Sequence, residues 1–396
     1  MSSLANLVFP RPEGIDRRVA LTLSCRDTDR LPKVEGAGSV VDRDGHAVQI
    51  MHNGVLVHEG GYLGGWTTEI IEGLDGHHEP QEEVAFAEVL RLIRDAGEPD
   101  APLIVELGSF WAYYSLWFLQ EFPSGKAVCL EPDPRYLEVG RLNFALNDRQ
   151  AEFVHGVIGD GSEQSITFEP ESDLYALDQK YGPIDVRQYS LDQLAQLGDS
   201  ATIDVLLVDI QGAEVPLLEA SLDRLRDGLV RYAVISTHHR SISGSFLTHQ
   251  RTIELVEAAG GVVLAEHSVS ESFSGDGLVV ASFTASDPHP PIPMSYARAK
   301  DSLFGEVELE AENLMKEHAA AATAFRNCSD ALDEAQVRLE LVSTQLENAR
   351  FHQQEAEREA KKAGNAAARA RKEVAAMKAS RSWRVTKPMR KVLKRS

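Results

Sequence analysis

Short apolar runs alternate with helix-length spacers through the middle of the chain. The runs cover residues 103–107, 127–130, 152–158, 204–208, 232–236, 262–266 and 278–283. This alternation predicts an α/β fold, in which helices cover both faces of a mostly parallel sheet. The run 204–208 is the most apolar, so it is expected at the centre of the sheet and buried on both sides.

The segment before the first run predicts a separate lead-in. Residues 1–76 are rich in glycine and β-branched residues, which predicts a β-rich N-terminal extension. Asn53 and Gly54 form a hairpin signal because both residues tolerate positive φ. Residues 77–287 then form the α/β domain. Its stretch 161–197 interrupts the alternation and is expected to pass over the ligand crevice.

The periodicity changes after a proline-rich linker, residues 288–300. Apolar residues then follow one heptad register through ten repeats, and only His318 and Gln353 place polar side chains at its a and d positions. The a series runs from Ala311 to Val374 and the d series from Leu314 to Met377. Residues 301–379 are therefore predicted to form a coiled coil about 100 Å long that joins two or more chains, since an apolar seam needs a partner. An isolated solvated helix is the alternative.

Charge divides the chain into an acidic body and a basic tail. The formal charge is −21, but residues 365–396 contain eleven basic residues and one acid, so the rest of the chain carries about −31. Residues 380–396 contain seven basic residues, no acid, and interleaved apolar side chains that include Trp383. Such a basic amphipathic stretch suits an anionic membrane surface, and a disordered solubilising tail is the alternative. Nucleic acid is not an expected partner, because the body is strongly acidic.

Composition excludes several classes of protein. With 43% hydrophobic and 26% charged residues, the chain is neither collagenous nor disordered throughout. Cys25, Cys129 and Cys328 fit neither a metal spacing nor a disulfide framework, which predicts a reducing, cytoplasmic environment. No apolar run of ~18 residues predicts a membrane span, and residues 1–18 lack the apolar stretch of a secretory signal.

The first candidate site is a strand that ends in an acid and a glycine. Residues 104–115 read IVELGSFWAYYS, which places Glu106 and Gly108 where a strand turns into a helix. In open α/β sheets, ligands bind beyond the carboxyl ends of the strands. Gly108 permits close approach of the backbone to a ligand, and the helix N-terminus near Tyr113 favours a carboxylate or phosphate. A single glycine turn also occurs in many βα loops that bind nothing.

Further acids follow two other strands at the same edge. Glu131 ends the second run, where a carboxylate can accept hydrogen bonds from both hydroxyls of a ribose. The glycine turn upstream favours this nucleoside interpretation over an ordinary acid at a helix start. Asp209 ends the central run and Glu214 follows it, so the two could orient a hydroxyl nucleophile, a cationic ligand or a divalent ion. A helix-capping role is the alternative for Asp209.

Together these segments resemble the FkbM family of S-adenosylmethionine-dependent methyltransferases. VELGSFWAYYSL is similar to the glycine loop and aromatic helix start of that family, EPDP to its second-strand acid, SLDQL to its pre-strand helix, and VDIQGAE to its Asp-x-x-Gly-x-Glu segment. The resemblance covers residues 102–283. It implies a seven-stranded, Rossmann-like sheet whose last strand is antiparallel, and methyl transfer that is usually to oxygen, often on a sugar or polyketide.

The resemblance also assigns cofactor residues by position. The expected contacts are Glu106, Gly108 and Ser109 for the methionine part of S-adenosylmethionine, Tyr114 as a further contact, Glu131 for the ribose and Asp160 for the adenine. Asp209 would face the sulfonium or the substrate. Phe110, Trp111 and Ala112 depart from the family, which is usually richer in glycine and asparagine at these positions.

A group of histidines follows the run next to that of Asp209. His238 and His239 end this run, and His249 and His267 lie downstream. Methylation of a hydroxyl requires removal of its proton, and histidine has a suitable pKa. The candidate catalytic residues are Asp209, His238, His239 and Glu214. This set of residues has two other interpretations, a metal site and histidines that only pack against their neighbours. No metal is predicted. Residues 77–79 (His-His-Glu) are expected to border the substrate entrance.

The predicted function is O-methylation of a sugar hydroxyl on a glycan or glycolipid, at the cytoplasmic face of the membrane, in surface polysaccharide biosynthesis. The tail also resembles a short SxSWRxTxPxR tail of bacterial surface-polysaccharide enzymes, and the plan of methyltransferase, rod and tail resembles enzymes that terminate polysaccharide chains. Expected partners are the acceptor, a second copy through the coiled coil, and a membrane surface or a polysaccharide-synthesis protein through residues 380–396. Two other functions are considered. A nicotinamide-dependent oxidoreductase is disfavoured because the second and third glycines are missing, and a non-catalytic coiled-coil scaffold would carry a degenerate methyltransferase domain.

Overall fold

The computed structural model describes residues 9, 11–97, 99–162, 165–168, 183–287, 289–298, 303 and 307–385. The chain divides into two compact units, Met1–Glu310 and Ala311–Ser396. Among the described residues, the first unit contains a three-stranded and a nine-stranded sheet, and the second contains most of one long helix.

The N-terminal extension combines helices with the small antiparallel sheet. Its elements are α1 (Ile15–Ser24), a 3₁₀ helix (Asp27–Arg30), β1 (Val40–Arg43), β2 (His46–Ile50), β3 (Leu56–His58) and α2 (Gly65–Gly73). Strands β2 and β3 pair through a turn in which Gly54 has φ of 88°, which confirms the predicted hairpin. The two helices were not predicted. They have ten and nine residues, too few for a clear helical periodicity in the sequence.

The nine-stranded sheet is the scaffold of the first unit. Its strands are β4 (Leu103–Leu107), β5 (Lys126–Glu131), β6 (Glu152–Ile158), β7 (Ser165–Phe168), β8 (Ile184–Tyr189), β9 (Ile203–Val208), β10 (Val230–Thr237), β11 (Val262–His267) and β12 (Gly277–Ser282). Their spatial order is β11-β12-β10-β9-β4-β5-β6-β8-β7. Strand β12 is antiparallel to both of its neighbours, which confirms the expected antiparallel last strand.

The strand count of seven implied by the resemblance is too low. The seven predicted runs are all present, but β7 and β8 extend the sheet at one edge, where β8 pairs parallel with β6 and β7 returns antiparallel. Both extra strands lie in the stretch 161–197. Three of the four residues of β7 are exposed, and β8 mixes buried with polar exposed positions, so neither produces an apolar run in the sequence. Residues 169–182 of this stretch lie outside the described part of the chain.

Helices cover both faces of the sheet, as the alternating pattern predicts. They are α3 (Pro80–Asp95), α4 (Tyr113–Glu121), α5 (Pro134–Leu146), α6 (Leu191–Leu197), α7 (Glu214–Arg226), α8 (Arg240–Ser243) and α9 (Thr248–Ala258). Successive side chains of one strand enter different cores: Ile104 joins the cluster with α3 and α4, and Val105 joins the cluster with α6, α7 and α9. All six residues of the central strand β9 are buried, as predicted.

The segment predicted as a linker packs on the first unit where it is described. Residues 289–298 have no regular secondary structure, yet Ile292 and Ala297 are buried. The Ile292 amide donates to the carbonyl of Leu264 at 2.8 Å, which extends the hydrogen bonding beyond β11. The packed unit therefore continues past the last strand.

One uninterrupted helix, α10 (Val307–Ala379, 73 residues), runs through the predicted coiled coil, and the short α11 (Arg381–Val385) follows it. Large apolar side chains at the a positions are exposed, including Phe325, Leu332 and Leu339. Most of the predicted basic tail, residues 386–396, lies outside the described residues. In the part of the chain that is described, no helix is both long and apolar enough to cross a bilayer.

Candidate functional site

Loops that follow β4 and β9 meet at the carboxyl edge of the sheet. Gly108 has φ of 73°, and a Cβ built on it would lie 1.8 Å from the backbone carbonyl oxygen of Asp209. The Asp209 amide also donates to the carbonyl of Leu107 at 3.0 Å. Glycine is required at this position because no side chain fits between the two loops, a reason independent of any ligand.

Glu131 joins the loop after β4 to the next strand. Its carboxylate lies at the end of β5, is buried, and accepts the backbone amides of Phe110 at 3.1 Å and Asp133 at 2.9 Å. Burial raises the pKa of Glu131 to about 8 against the opposing effect of these hydrogen bonds. Glu131 and Asp209 therefore contact the same loop, residues 108–110, from its two sides.

The loop holds non-glycine residues in conformations that glycine and asparagine adopt readily. Phe110 has φ of 38° and Ala112 has φ of 55°. Glycine and asparagine, which the resembled family more often has here, adopt such positive φ values more readily than phenylalanine or alanine. The hydroxyl of Ser109 is buried in this loop and has no hydrogen-bond partner among the described residues. An unpartnered buried hydroxyl at this place suits a polar ligand.

Glu106 and Tyr114 lie deeper than the loop. Glu106 on β4 accepts hydrogen bonds from the amide of Ser115 at 3.0 Å and from its hydroxyl, which ties the strand to the first turn of α4. Burial raises the pKa of Glu106 to about 8. The ring of Tyr114 is buried against Phe86, with centroids 4.9 Å apart. Asp160, by contrast, is exposed after β6, where its carboxylate accepts the Ser162 amide at 2.8 Å.

His238 lies between two carboxylates. Its Nδ1 is 2.7 Å from Oε1 of Glu214 and its Nε2 is 3.0 Å from Oδ1 of Asp209. Burial lowers the pKa of His238, but the two carboxylates raise it more, to about 11. Desolvation raises the pKa of Asp209, and the hydrogen bond and charge of His238 lower it below its ordinary value. His238 is thus an imidazolium with both nitrogens engaged, which favours an orienting role over that of a free base.

Asp209, His238 and Glu214 form a triad, and neighbouring groups make further contacts with it. Glu214 begins α7 fully buried and accepts the Gly212 amide at 3.0 Å, and its Oε2 has no partner in the part of the chain that the structure describes. The N-cap of α7 is Ala213, so Asp209 does not cap that helix. The amide nitrogen of Gln211 lies 2.9 Å from both Asp209 and His238.

Sequence reasoning missed several charged groups at this edge. Asp276 lies 3.8 Å from His238 and 3.7 Å from the guanidinium of Arg18, which comes from α1. Glu82 on α3 accepts the Ser236 hydroxyl at 2.6 Å, and burial raises its pKa to about 7. A signal existed for Asp276: it immediately precedes the antiparallel β12, whose start lies at the carboxyl edge of the parallel strands. No such signal existed for Arg18 and Glu82, because both lie in segments without a recognisable motif. They come to the site only through the packing of their helices.

His239 lies apart from the triad. Its Nδ1 accepts the Ser241 amide at the start of α8, and its Nε2 is 2.6 Å from Glu310. With His238 it lines a small crevice of about 70 Å³ that also contains the half-exposed ring of Phe246. A second, much smaller cavity of about 10 Å³ is lined by His78 and Glu79 among others, the place expected to border the substrate entrance.

Comparison with known proteins gives one family and a set of distant folds. Residues 95–260 match the family model described as a methyltransferase FkbM domain, and no curated protein matches the chain. Precorrin-6y C5,15-methyltransferase of Geobacter metallireducens GS-15 is similar at 16% identity, over 50% of this chain and 86% of that chain, with a TM-score of 0.29. An O-methyltransferase of Bacillus cereus in complex with S-adenosylhomocysteine is similar at 18% identity, over 50% and 80% of the two chains, with a TM-score of 0.31. WbdD is similar at 14% identity, over 55% and 44%, with a TM-score of 0.34. At these TM-scores the structural likenesses carry no argument about activity.

Proposed function

Because residues 95–260 belong to the FkbM family of S-adenosylmethionine-dependent methyltransferases, we propose that the protein methylates a sugar hydroxyl of a glycan or glycolipid. The observation that carries this proposal is the placement of Glu131 and Asp209 on either side of one glycine loop. The acid proposed for the ribose and the acid proposed for the reacting group then end the two strands that flank β4, at the carboxyl edge of the sheet.

The residues around the loop fit the cofactor. The buried hydroxyl of Ser109 lacks a partner within the described ranges of the chain. Each oxygen of the Glu131 carboxylate accepts one backbone amide and keeps a lone pair for a ribose hydroxyl. Glu131 would hold the ribose, and Gly108 and Ser109 the methionine part. When bound, S-adenosylmethionine supplies an electrophilic methyl group on a positively charged sulfur.

The chain itself contributes alignment and a proton acceptor. His238 fixes the Asp209 carboxylate from one side, and Gln211 donates to the same Oδ1. In the proposed reaction, Asp209 accepts a hydrogen bond from the acceptor hydroxyl and takes its proton as the hydroxyl oxygen receives the methyl group, whose bond to sulfur would break with its electron pair left on the sulfur. The imidazolium of His238 keeps Asp209 ionised for this step.

A crevice for the acceptor lies beside the triad. It is bordered by His238, His239 and Phe246, and the guanidinium of Arg240 lies 5.0 Å from the Phe246 ring. An exposed aromatic face next to polar side chains suits a sugar ring, which packs its C–H face on the aromatic ring and uses its hydroxyls for hydrogen bonds.

The helix α10 provides the proposed contact with a second copy of the chain. Its a and d side chains keep one heptad register, and those at Leu339, Val342 and Leu346 are more than half exposed. Burial of this seam in a coiled coil is the usual reason for such a pattern. The basic residues 380–396 would place the enzyme at an anionic membrane surface on the cytoplasmic side, at a distance set by the rod.

Identification of the product tests the proposed reaction. The full chain is incubated with S-adenosylmethionine that carries an isotope-labelled methyl group and with the glycolipid fraction of cells that express the protein. We expect the label in sugar residues, in a form that resists mild alkali, because a methyl ether is stable where a methyl ester is hydrolysed. Label that is released by alkali, or that appears in protein, would contradict the proposal.

A further inference from the structure

A buried carboxylate on α3 reaches the carboxyl edge of the sheet. Glu82 is 9% exposed, and its Oε2 accepts the hydroxyl of Ser236 at 2.6 Å. Because Ile235 pairs with Val208 in the parallel strands β10 and β9, the residues that follow them, Ser236 and Asp209, lie at the same level. The Glu82 carboxylate therefore lies at the same edge as Asp209, although its helix precedes β4 in the chain.

Among the described residues, the charged groups around Glu82 give it no counter-ion. Burial raises the pKa of Glu82 to about 7, and the neighbouring acids Asp209 and Asp276 raise it further. The cations His238 and Arg18 lie against these two acids, at 3.0 Å and 3.7 Å respectively. A buried carboxylate without a counter-ion costs free energy, so this place favours a cationic ligand.

A second group with unused hydrogen-bonding capacity lies beside Glu82. Tyr114 belongs to the first turn of α4, which follows the glycine loop, and it is 4% exposed. Its hydroxyl is near enough to the Glu82 carboxylate to lower the pKa of Glu82, yet no described residue meets it at hydrogen-bond distance and angle. A buried hydroxyl and a buried carboxylate of this kind suit a donor that the chain itself does not supply.

We propose that Glu82 binds the α-ammonium group of S-adenosylmethionine, with the hydroxyl oxygen of Tyr114 as a second acceptor. This inference rests on the proposed function, because the ligand is the cofactor of that reaction. An ammonium group has three N–H donors and no acceptor, so it matches a carboxylate and a hydroxyl oxygen. Its positive charge also supplies the counter-ion that Glu82 otherwise lacks.

The position of Glu82 suits the amino-acid end of this cofactor. The ribose is assigned to Glu131 at the end of β5, and Glu82 lies over Ser236 near the end of β10. In the order β10-β9-β4-β5 these two strands are three spacings apart, about 14 Å at ~4.8 Å for each spacing. A ligand that extends along this edge from Glu131 would pass the glycine loop and Asp209 before it reaches Glu82, which is the order of ribose, sulfur and amino acid in the cofactor.

Calorimetry with two nucleosides tests the assignment on the full chain. S-adenosylhomocysteine keeps the amino-acid part, whereas 5′-methylthioadenosine has the same adenine, ribose and thioether without it. Glu82→Gln should weaken the binding of S-adenosylhomocysteine by about tenfold or more and leave that of methylthioadenosine unchanged, because only the charge-assisted hydrogen bond is lost. The control is Glu88→Gln, which removes a carboxylate of α3 that pairs with Arg91 instead.

The two ligands distinguish the failure of this assignment from the failure of the proposed function. A wild-type chain that binds neither nucleoside overturns the proposed function and the role of Glu82 with it. A wild-type chain that binds both overturns the role of Glu82 alone if Glu82→Gln weakens neither nucleoside, or weakens both equally.

An analogue of S-adenosylhomocysteine with hydrogen in place of the amino group covers the case in which Glu82→Gln does not fold. The wild type should bind this analogue about tenfold or more weakly than S-adenosylhomocysteine, and Glu82→Gln, where it folds, should weaken the analogue no further. Equal affinity of the wild type for the two ligands would show that no group of the protein recognises the ammonium, and it would overturn the proposal.

Discussion

The imidazole Nε2 of His238 lies 3.0 Å from the carboxylate Oδ1 of Asp209. The two residues follow neighbouring parallel strands, and Glu214 holds the other ring nitrogen of His238 at 2.7 Å. Asp209 is therefore an oriented anion whose side chain is 34% exposed, while the side chain of His238 is fully buried. In the proposed reaction, Asp209 would face the acceptor hydroxyl and His238 would position Asp209.

Replacement of His238 by alanine should destabilise the fold, and the methyl-transfer rate of the wild type should show no rise with a pKa near 6.5, the ordinary value for histidine. Loss of the cation leaves two carboxylates unpaired, at a cost of about 3 kcal/mol or more in the free energy of unfolding. The carboxylates raise the pKa of His238 against burial, from its ordinary 6.5 to about 11, so the stabilisation is complete below pH 6.5 and is lost as pH rises through 11.

Denaturant unfolding at several pH values measures this effect. The gap between wild type and His238→Ala should shrink as pH rises from 6.5 towards 11, whereas the exposed control His155→Ala should match the wild type throughout. The methyl-transfer rate gives a second test. If the wild-type rate rises with an apparent pKa near 6.5 and this rise is absent in His238→Ala, then His238 is the base and the account is contradicted.

Replacement of Asp209 by alanine should abolish methyl transfer while the fold survives. The variant removes the group that accepts the hydroxyl proton, a loss of about 10²-fold or more in rate. Its backbone contact with Gly108 remains, so binding of S-adenosylhomocysteine should be largely kept. The matched control is Asp199→Ala, an exposed acid that precedes β9 at the opposite end of the strand. Near-wild-type turnover by the Asp209 variant would refute the assignment.

A side chain at position 108 should separate two strands of the sheet. In Gly108→Ala the added Cβ would lie 1.8 Å from the Asp209 carbonyl, at a backbone φ of 73°, so the loop or β9 must move. We expect a loss of several kcal/mol, on the order of 3, in the free energy of unfolding. Gly65→Ala is the control, because no atom of the described residues lies within 4 Å of its Cβ and its φ is not positive. Equal melting temperatures for the two variants would show that the contact is not as described.

The heptad register of α10 predicts which substitutions break the oligomer. Leu339 is at position a and Leu341 at position c, and both side chains are exposed in the single chain. Leu339→Glu should dissociate the oligomer, because it places a charge in the seam, whereas Leu341→Glu should leave the oligomer intact. Light scattering after gel filtration gives the masses. A wild-type chain that is already monomeric would remove the coiled-coil proposal.

Much of the sheet could be predicted from the sequence, because buried parallel strands consist of continuous apolar runs. The runs 103–107 and 152–158 coincide with β4 and β6, and the run 204–208 starts one residue late. The strands β7 and β8 could not be predicted, since strands that carry polar, solvent-exposed positions need no apolar run.

The site could be predicted in part. Local motifs placed Gly108, Glu131 and Asp209 at one edge, since the carboxyl ends of parallel strands meet there. The charge state of His238 could not be read from the sequence, because it depends on Glu214 and Asp276 closing around it in three dimensions. The stacking of His52 on His77 could not be predicted either, because the two residues are 25 positions apart in the sequence.

Titration calorimetry with S-adenosylhomocysteine tests the central claim most directly, namely that Glu131 and Asp209 face one nucleoside site. The full chain should bind one equivalent of this ligand and give no heat with NAD. Because burial raises the pKa of Glu131 to about 8, the affinity should increase as pH rises through 8, as the carboxylate that accepts the ribose hydroxyls becomes ionised. Glu131→Gln should bind weakly and without this pH dependence, while the exposed control Glu152→Gln should behave as wild type. Binding of NAD in place of S-adenosylhomocysteine, or equal affinity in Glu131→Gln, would contradict the account.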